Sequence, residues 1–392
     1  MVEWKKLGEI CYISDYVSNG SFASLRENVQ YKSEPDYAIL VRFADYSNGF
    51  DTSKFVYIDE HAYHFLSKSY LEGGEIIMSN VGSCGLLFRC PKLDRKMSLA
   101  PNSILIKSEF IDYLYYWLGG NVGQEEIRKI TSKSAMPKFN KTEFKKIQVP
   151  IPSLEEQARI VSILDTFTAS IDNLKEQIAQ RRKQFEYYRD KLLDLEGKEG
   201  VEMKTLGETC IIKNGYTPST KEPSFWENGT LPWFTLEDIR KNGRILKDAI
   251  KHITSLGVKR GGLFPKDSII ISTTATIGEY ALIKSDFLCN QQITCLTIKE
   301  EMKGHLLPKY LYYLSDGIGK WCKSHVNGGG SLLIVSTSKL IGLQVPLPTL
   351  LEQQRIVSIL DTFEASIQNL EAQLSQREKQ YEYYRNKLLT FE

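Results

Sequence analysis

The sequence predicts an α/β (mixed α+β) protein with a pseudo-twofold internal repeat: two globular segments alternate with two long α-helices that pair as an antiparallel coiled coil. Three observations carry this reading. Residues 152–193 lie without a gap on residues 348–389, with about 30 of 42 positions identical. A front segment also recurs: Val2, Glu3, Lys5, Leu7, Gly8, Glu9 and Cys11 reappear in order as Val201, Glu202, Lys204, Leu206, Gly207, Glu208 and Cys210. Both long copies carry apolar residues at 4-3 spacing, the signature of a coiled-coil seam. Four segments follow: 1–150, 151–197, 198–346 and 347–392.

In the first globular segment, β-rich runs bounded by Gly, Pro, Asn or Ser fall at Tyr37 to Phe43, Glu75 to Met78 and Asn102 to Lys107. Their length and composition predict strands. YLYYWL, Tyr113 to Leu118, predicts a short buried helix, and QVPIP closes the segment. The helix that follows starts at a proline, which disfavours helix before it, with Ser153 and Glu156 spaced as a capping box. Its stripe runs through Ile160, Leu164, Phe167, Ile171, Leu174, Ile178 and Phe185. Arg181 interrupts it, read either as a side chain snorkelling out of the seam or as a register-setting polar contact.

The second half repeats this plan. Strands are predicted at Ser268 to Ser272 and Ile293 to Ile298, and YLYYL predicts a helix at Tyr310 to Leu314. EIIMSNVGSCG (Glu75 to Gly85) aligns with SIIISTTATIG (Ser268 to Gly278), a strand followed by a loop of small residues. QVPLP, Thr349 and Glu352 then open a second stripe, Ile356, Leu360, Phe363, Ile367, Leu370, Leu374 and Tyr381, with Arg377 at the interrupting position. At ~1.5 Å per residue each helix spans roughly 60 Å. Neither can bury its stripe alone, so the two pair inside one molecule.

Composition narrows the function. Hydrophobic residues are 42% and charged residues 25%, ordinary globular chemistry, and no run approaches the roughly 18 to 20 apolar residues of a membrane span. A start without a signal-peptide core makes the cytoplasm the default location. The seven cysteines form no CxxC or Cys/His cluster, so buried, reduced thiols and no metal site are expected. Walker A, Rossmann, HExxH and GxSxG patterns are absent, as is the Asn/Asp-Pro-Pro-Tyr tetrapeptide of amino-methylating DNA enzymes. NGGGS at Asn327 to Ser331 reads as a turning loop, and His61 with His64 as a surface pair. No catalytic residue and no cofactor is expected. A net charge of +2 decides nothing about a polyanion partner, but Arg128 to Lys146 carries seven cations against Glu143.

At this point the sequence resembles the specificity (S) subunits of Type I restriction-modification enzymes. The carriers are PxLxEQxRIVxILD at Pro152 to Asp165 and Pro348 to Asp361, the QVPxP ahead of each, LGE at Leu7 and Leu206, and the strand-loop elements ending at Gly85 and Gly278. PWFTLEDI (Pro232 to Ile239), typical of that family's target domains, has only a loose counterpart in YAILVRFADY (Tyr37 to Tyr46). The resemblance implies two target recognition domains, 1–150 and 198–346, each reading half of a split double-stranded DNA target, with 151–197 and 347–392 as spacer helices. It further implies no catalytic activity, two methyltransferase subunits and further restriction subunits as partners, and no membrane. Loops rich in Ser, Thr, Asn and Lys suit phosphate and base-edge contacts. The expected contacts are Arg42, Ser79, Asn80, Ser83, Lys133, Lys138 and Lys141 in the first half. In the second they are Tyr216, Thr217, Ser219, Lys221, Thr274, Thr276, Asn327, Ser331 and Lys339. The alternative is a coiled-coil scaffold that gathers two protein partners without touching DNA.

Overall fold

The computed structural model describes residues 2–259, 261–326 and 333–391. The chain forms two compact units, Met1–Glu176 with Ala372–Glu392, and Gln177–Glu371. Each contains one globular head together with part of both long helices.

The repeated front segment has a structural role in each head. Strand Glu3–Lys6 pairs antiparallel with Gln148–Ile151, Lys5 opposite Val149. Strand Glu202–Thr205 pairs likewise with Gln344–Leu347, Lys204 opposite Val345. The beginning and end of each head are thus tied together. A one-turn helix follows each front strand. It buries Leu7 or Leu206 completely and caps itself, Glu9 accepting from the Lys6 N–H at 3.0 Å and Glu208 from the Thr205 N–H at 2.6 Å. Gly8 and Gly207 sit at close approaches: an added Cβ would lie 3.2 Å from the Lys145 carbonyl oxygen or 2.6 Å from Ile341 Cγ2, so a side chain there would have to push its neighbour aside.

In the first head, a four-stranded sheet runs in the order Tyr12–Asp15, Ser103–Lys107, Ile76–Ser79, Leu87–Arg89. A second runs Tyr57–Ile58, Ala38–Val41, Lys96–Leu99, Tyr70–Leu71. The second head has a five-stranded sheet, Cys210–Asn214, Ile293–Ile298, Ile269–Ser272, Tyr280–Ile283, Ile245–Leu246, and a three-stranded one, Lys251–Ile253, Leu231–Phe234, Leu288–Cys289. The strand expected from Tyr37 to Phe43 stops at Val41, because Arg42 caps the helix Phe43–Ser47. PWFTLEDI and YAILVRFADY are closer structurally than their letters suggest. Each gives a strand, an N-cap and a short helix whose third residue is a buried aspartate gripping the cap N–H, Asp45 to Arg42 at 2.8 Å and Asp238 to Thr235 at 2.7 Å.

The YLYY segments join heads to long helices. Ile111–Gly119 ends at Gly120 and a second helix, Asn121–Ile130, folds back so tightly that a Cβ on Gly123 would sit 2.3 Å from the Trp117 carbonyl oxygen. The second head keeps one longer helix, Pro308–Ser324, where only a short one was expected. On both, the first tyrosine reaches back to the closing strand: Tyr113 Oη donates to the Pro150 oxygen at 2.8 Å, Tyr310 Oη to the Pro346 oxygen at 3.1 Å. The last tyrosine donates to an aspartate on the long helix, Tyr116 to Asp165 and Tyr313 to Asp361. Burial and this carboxylate raise both phenols above the ordinary tyrosine range.

The long helices are Leu154–Leu193 and Leu350–Leu389. Ser153 and Thr349 accept from the Glu156 and Glu352 N–H groups at 3.3 and 3.4 Å, so both caps form. The expected reciprocal half does not: Arg159 and Arg355 bind those carboxylates at 2.6–2.7 Å and hold them below the usual range. Gln157 and Gln353 are buried and donate to the Pro152 and Pro348 oxygens, each at 2.9 Å, fixing the turn into the helix.

The helices are antiparallel within each unit. In the first, Phe167 stacks on Tyr384 (5.4 Å between centroids) and Lys175 meets Glu378 at 3.9 Å. In the second, Arg182 meets Glu371 at 2.6 Å and Tyr188 stacks on Phe363 at 5.4 Å. Of the seam residues, Ile160, Leu164, Ile171, Ile178, Ile356 and Leu360 are buried, and Phe167, Leu174, Phe185, Phe363, Ile367, Leu370, Leu374 and Tyr381 half-buried. Ile160 and Leu164 belong to the first head's core and Ile356 and Leu360 to the second's, so these four weld helix to head rather than serving the seam alone. Arg181 and Arg377 do not snorkel away. Their guanidinium groups lie 5.9 Å from the Phe363 ring and 5.6 Å from the Phe167 ring, closing each aromatic stack with a cation.

Two expectations follow. Leu164→Ala and Leu360→Ala should each lower unfolding free energy by about 3 kcal/mol in urea titrations, whereas exposed Leu351→Ala should change it by under about 0.5 kcal/mol. The Glu208 carboxylate is held below its ordinary value chiefly by the Thr205 N–H, so its contribution is present above the unfolded carboxylate pKa of ~4.3 and is lost as pH falls through the folded value. Unfolding midpoints between pH 7 and 3 should therefore fall less steeply in Glu208→Gln than in the parent chain.

Candidate nucleic-acid interface

Strands Ile76–Ser79 and Ile269–Ser272 each end in the same tight loop. The Gly85 N–H closes one on the Ser79 oxygen and the Gly278 N–H the other on the Ser272 oxygen, both at 2.9 Å. Both glycines have φ near +90° (+88 and +89), where a side chain is strained.

Each loop is clamped by backbone on two sides. On one side, the Asn80 N–H donates to the Asn102 oxygen at 3.2 Å and the Thr273 N–H to the Gln292 oxygen at 3.0 Å. On the other, Phe139 N–H reaches the Asn80 oxygen (3.1 Å) and Gly82 N–H the Pro137 oxygen (2.8 Å). In the second head these become Val335 N–H to the Thr273 oxygen (2.9 Å) and Ala275 N–H to the Leu333 oxygen (3.0 Å). The fold therefore brings together the expected contact loops around Ser79 and Lys133 to Lys141 in the first head. It brings the Thr273 to Thr276 loop beside Leu333 to Val335 in the second. The Tyr216 to Lys221 segment joins that edge because the Thr217 hydroxyl donates to Gln291 Oε1.

The expected contact residues now separate by what their side chains do. Lys133, Lys138, Ser83, Ser219, Lys221 and Thr276 are exposed, and Thr274 partly so. Ser79 is buried and its hydroxyl donates to the Ser83 carbonyl, so it shapes the loop. Lys141 is turned inward to Asp15 at 3.0 Å and to Ser18. Arg42 is committed to a fork on buried Asp45, at 2.6 and 3.1 Å, and to the Lys54 oxygen at 2.7 Å. Tyr216 is a tether, donating to the Gly257 oxygen at 3.2 Å and accepting from the Lys259 N–H at 2.7 Å. Lys339 is exposed with Nζ 3.5 Å from the His325 oxygen. Asn327 and Ser331 lie outside the described residues.

Two cavities flank the first head's loop. One of about 490 Å³ is lined by Arg42, Ser79, Ser83 and Asn102. The other, about 670 Å³, opens between Asn80, Lys138 and the helix Phe22–Asn28. That helix was not singled out from its letters, and its Phe22 is 82% exposed. Asn102 was likewise passed over although φ +68° bends the chain toward the loop. Among the described residues there is no cluster of His, Cys, Asp or Glu able to hold a metal, the seven cysteines are free thiols, and no helix is long and apolar enough to cross a membrane.

Comparison with known proteins agrees with the doubled architecture. A profile of the Type I restriction modification DNA specificity domain matches residues 1–181 and again residues 198–378. The EcoR124I/EcoR124II Type I restriction enzyme specificity subunit of Escherichia coli is 36% identical over 299 residues, 72% of this chain and 71% of that protein. The EcoprrI specificity subunit of Escherichia coli is 42% identical over 215 residues, 52% of this chain, and that match spans about half (53%) of the relative. Among solved structures, the Type I restriction-modification S subunit of M. genitalium shares the fold (TM-score 0.56, 15% identity, 100% of this chain and 97% of that one). So does a chain from a study of assembly and conformational transition in the type I R-M system (TM-score 0.65, 16% identity, 99% and 97%). With both repeats matched and over a third of residues shared across more than two thirds of its length, this chain belongs to the Type I restriction-modification DNA specificity family.

Proposed function

We propose that the chain is the non-catalytic sequence-reading subunit of a Type I restriction-modification complex, working in the cytoplasm. Residues 1–150 and 198–346 are its target recognition domains, and 151–197 and 347–392 its spacer helices. Each head reads one half of a split double-stranded DNA target. Two methyltransferase subunits and further restriction subunits supply the chemistry. The observation that carries this reading is the clamped loop that recurs in both heads on the same hydrogen bonds but with different side chains, NVGSC in one and TTATI in the other. Equal backbones with unequal letters suit two readers of two different half-sites. Base edges are distinguished by side-chain donors and acceptors presented from a rigid frame.

Exposed Lys133, Lys138, Lys221 and Lys339 are proposed to hold phosphates, and Asn80, Ser83, Thr217, Ser219, Thr274 and Thr276 to face bases; Asn327 and Ser331, outside the described residues, are proposed as further contacts on their residue type alone. Arg42, Ser79, Lys141 and Tyr216 are proposed to act through the loops they brace.

The decisive test is co-expression with a methyltransferase subunit of this family, followed by genome-wide mapping of methylated bases. A split motif with a fixed unread gap is expected, lost when this chain is omitted. A stable complex that methylates nothing new would overturn the reading in favour of a scaffold. Lys138→Ala and Lys339→Ala should each weaken binding to all duplexes and reduce the slope of log K against log salt by about 0.9. An unchanged slope removes that lysine from the interface.

A further inference from the structure

The cavity of about 670 Å³ in the first head has the chemistry of a nucleotide site. Its floor and walls are apolar and aromatic, with Tyr16 and Phe139 buried inside, while Phe22 and Tyr31, 82% and 54% exposed, stand at its mouth. Large apolar side chains left in water around a concave opening mark a place that something covers. The rim is cationic. Lys141 is engaged by Asp15 at 3.0 Å, but Arg26 and Lys138 are exposed beside the same opening. Asn80 belongs to the wall, and among the described residues its Oδ1 is buried just behind that surface without a hydrogen-bond partner. Its backbone is fixed on both sides, N–H to Asn102 and oxygen to Phe139, so the residue stands at a rigid strand end.

We propose that this cavity binds one nucleotide, its base against Phe22 and Tyr31, its phosphate at Arg26 and Lys138, and, with the Asn80 side chain turned toward the opening, an exocyclic amino group on Asn80 Oδ1. An amide acceptor selects the bases that carry an exocyclic amino group, adenine, cytosine and guanine, against thymine, which has none. Aromatic faces take any base by stacking, so Asn80 sets the choice. Resting on the function proposed above, the source is target DNA: a base of the half-site met by the first head, swung out of the duplex. Such eversion costs unstacking energy and is met by pockets of this composition. A free mononucleotide offers the same chemistry and is the second source to separate.

The test uses the full chain in complex with its methyltransferase subunit and duplexes carrying the mapped motif. Each purine is replaced in turn by 2-aminopurine and each cytosine by pyrrolocytosine. Fluorescence is expected to rise several-fold at one position of a half-site other than the methylated base. That rise should vanish in Phe22→Ala and Asn80→Ala while the response at the methylated base persists. Phe22→Ala, a change at an exposed position that leaves the core intact, should also weaken binding about tenfold. In parallel, equilibrium dialysis with the four mononucleotides reads the other source: retention of AMP, CMP or GMP over TMP, lost in Phe22→Ala, with silent duplexes, supports the site and makes its ligand free. Silence in both arms, from a complex that still binds and methylates its motif, overturns the cavity proposal alone. A complex that neither retains DNA nor methylates it refutes the functional reading instead.

Discussion

An apolar stripe on a helix of forty residues cannot remain in water, and the rest of this structure is arranged around where that stripe goes. Each long helix divides its apolar face between two tasks. Its opening turns sink into a head, Ile160 and Leu164 in one case and Ile356 and Leu360 in the other. Further along, it lies antiparallel to the other helix through Phe–Tyr stacks capped by arginine. The YLYY helix of each head then holds the long one by a tyrosine on an aspartate, a charged hydrogen bond in a partly dry setting. Head and helix are therefore one packed body, and the direction in which a head points follows from the helix it grips.

This explains which letters repeat and which do not. Positions that recur between halves make the joint: the front strand on QVP, Leu7 and Leu206 in the core, Gly8 and Gly207 under a close carbonyl or side chain, and the glutamine that locks the proline turn. Positions that differ lie on the loop edge, where backbone bonds alone preserve the shape. A frame built from main-chain hydrogen bonds tolerates nearly any side chain facing outward, which leaves those side chains open to vary with the target.

Much of this was legible in the letters because repetition doubles every signal. The heptads predicted pairing, the pseudo-twofold repeat went with an antiparallel direction, and YLYY predicted the helix that grips. What escaped was governed by contacts distant in sequence. The Glu156 and Glu352 carboxylates turn to an arginine one turn on, which outcompetes a backbone N–H. Arg42 reads as a surface cation until Asp45 is seen buried beneath it. The kinship of PWFTLEDI and YAILVRFADY is invisible in composition, because an N-cap can be threonine or arginine so long as the aspartate behind it holds the amide. The exposure of Phe22 could not be read either, since a phenylalanine on a short helix normally faces inward.

The two units are unequal in one respect. One is a single continuous stretch, Gln177–Glu371, whereas the other joins Met1–Glu176 to Ala372–Glu392. During synthesis the continuous unit has all its parts as soon as residue 371 leaves the ribosome. The other, begun first, must wait for its closing helical turns, Leu389 among them, to fill its core. The half made earliest is thus finished last, and a message cut short just after residue 371 would release a chain with one unit complete and the other open, a ready substrate for cellular proteases.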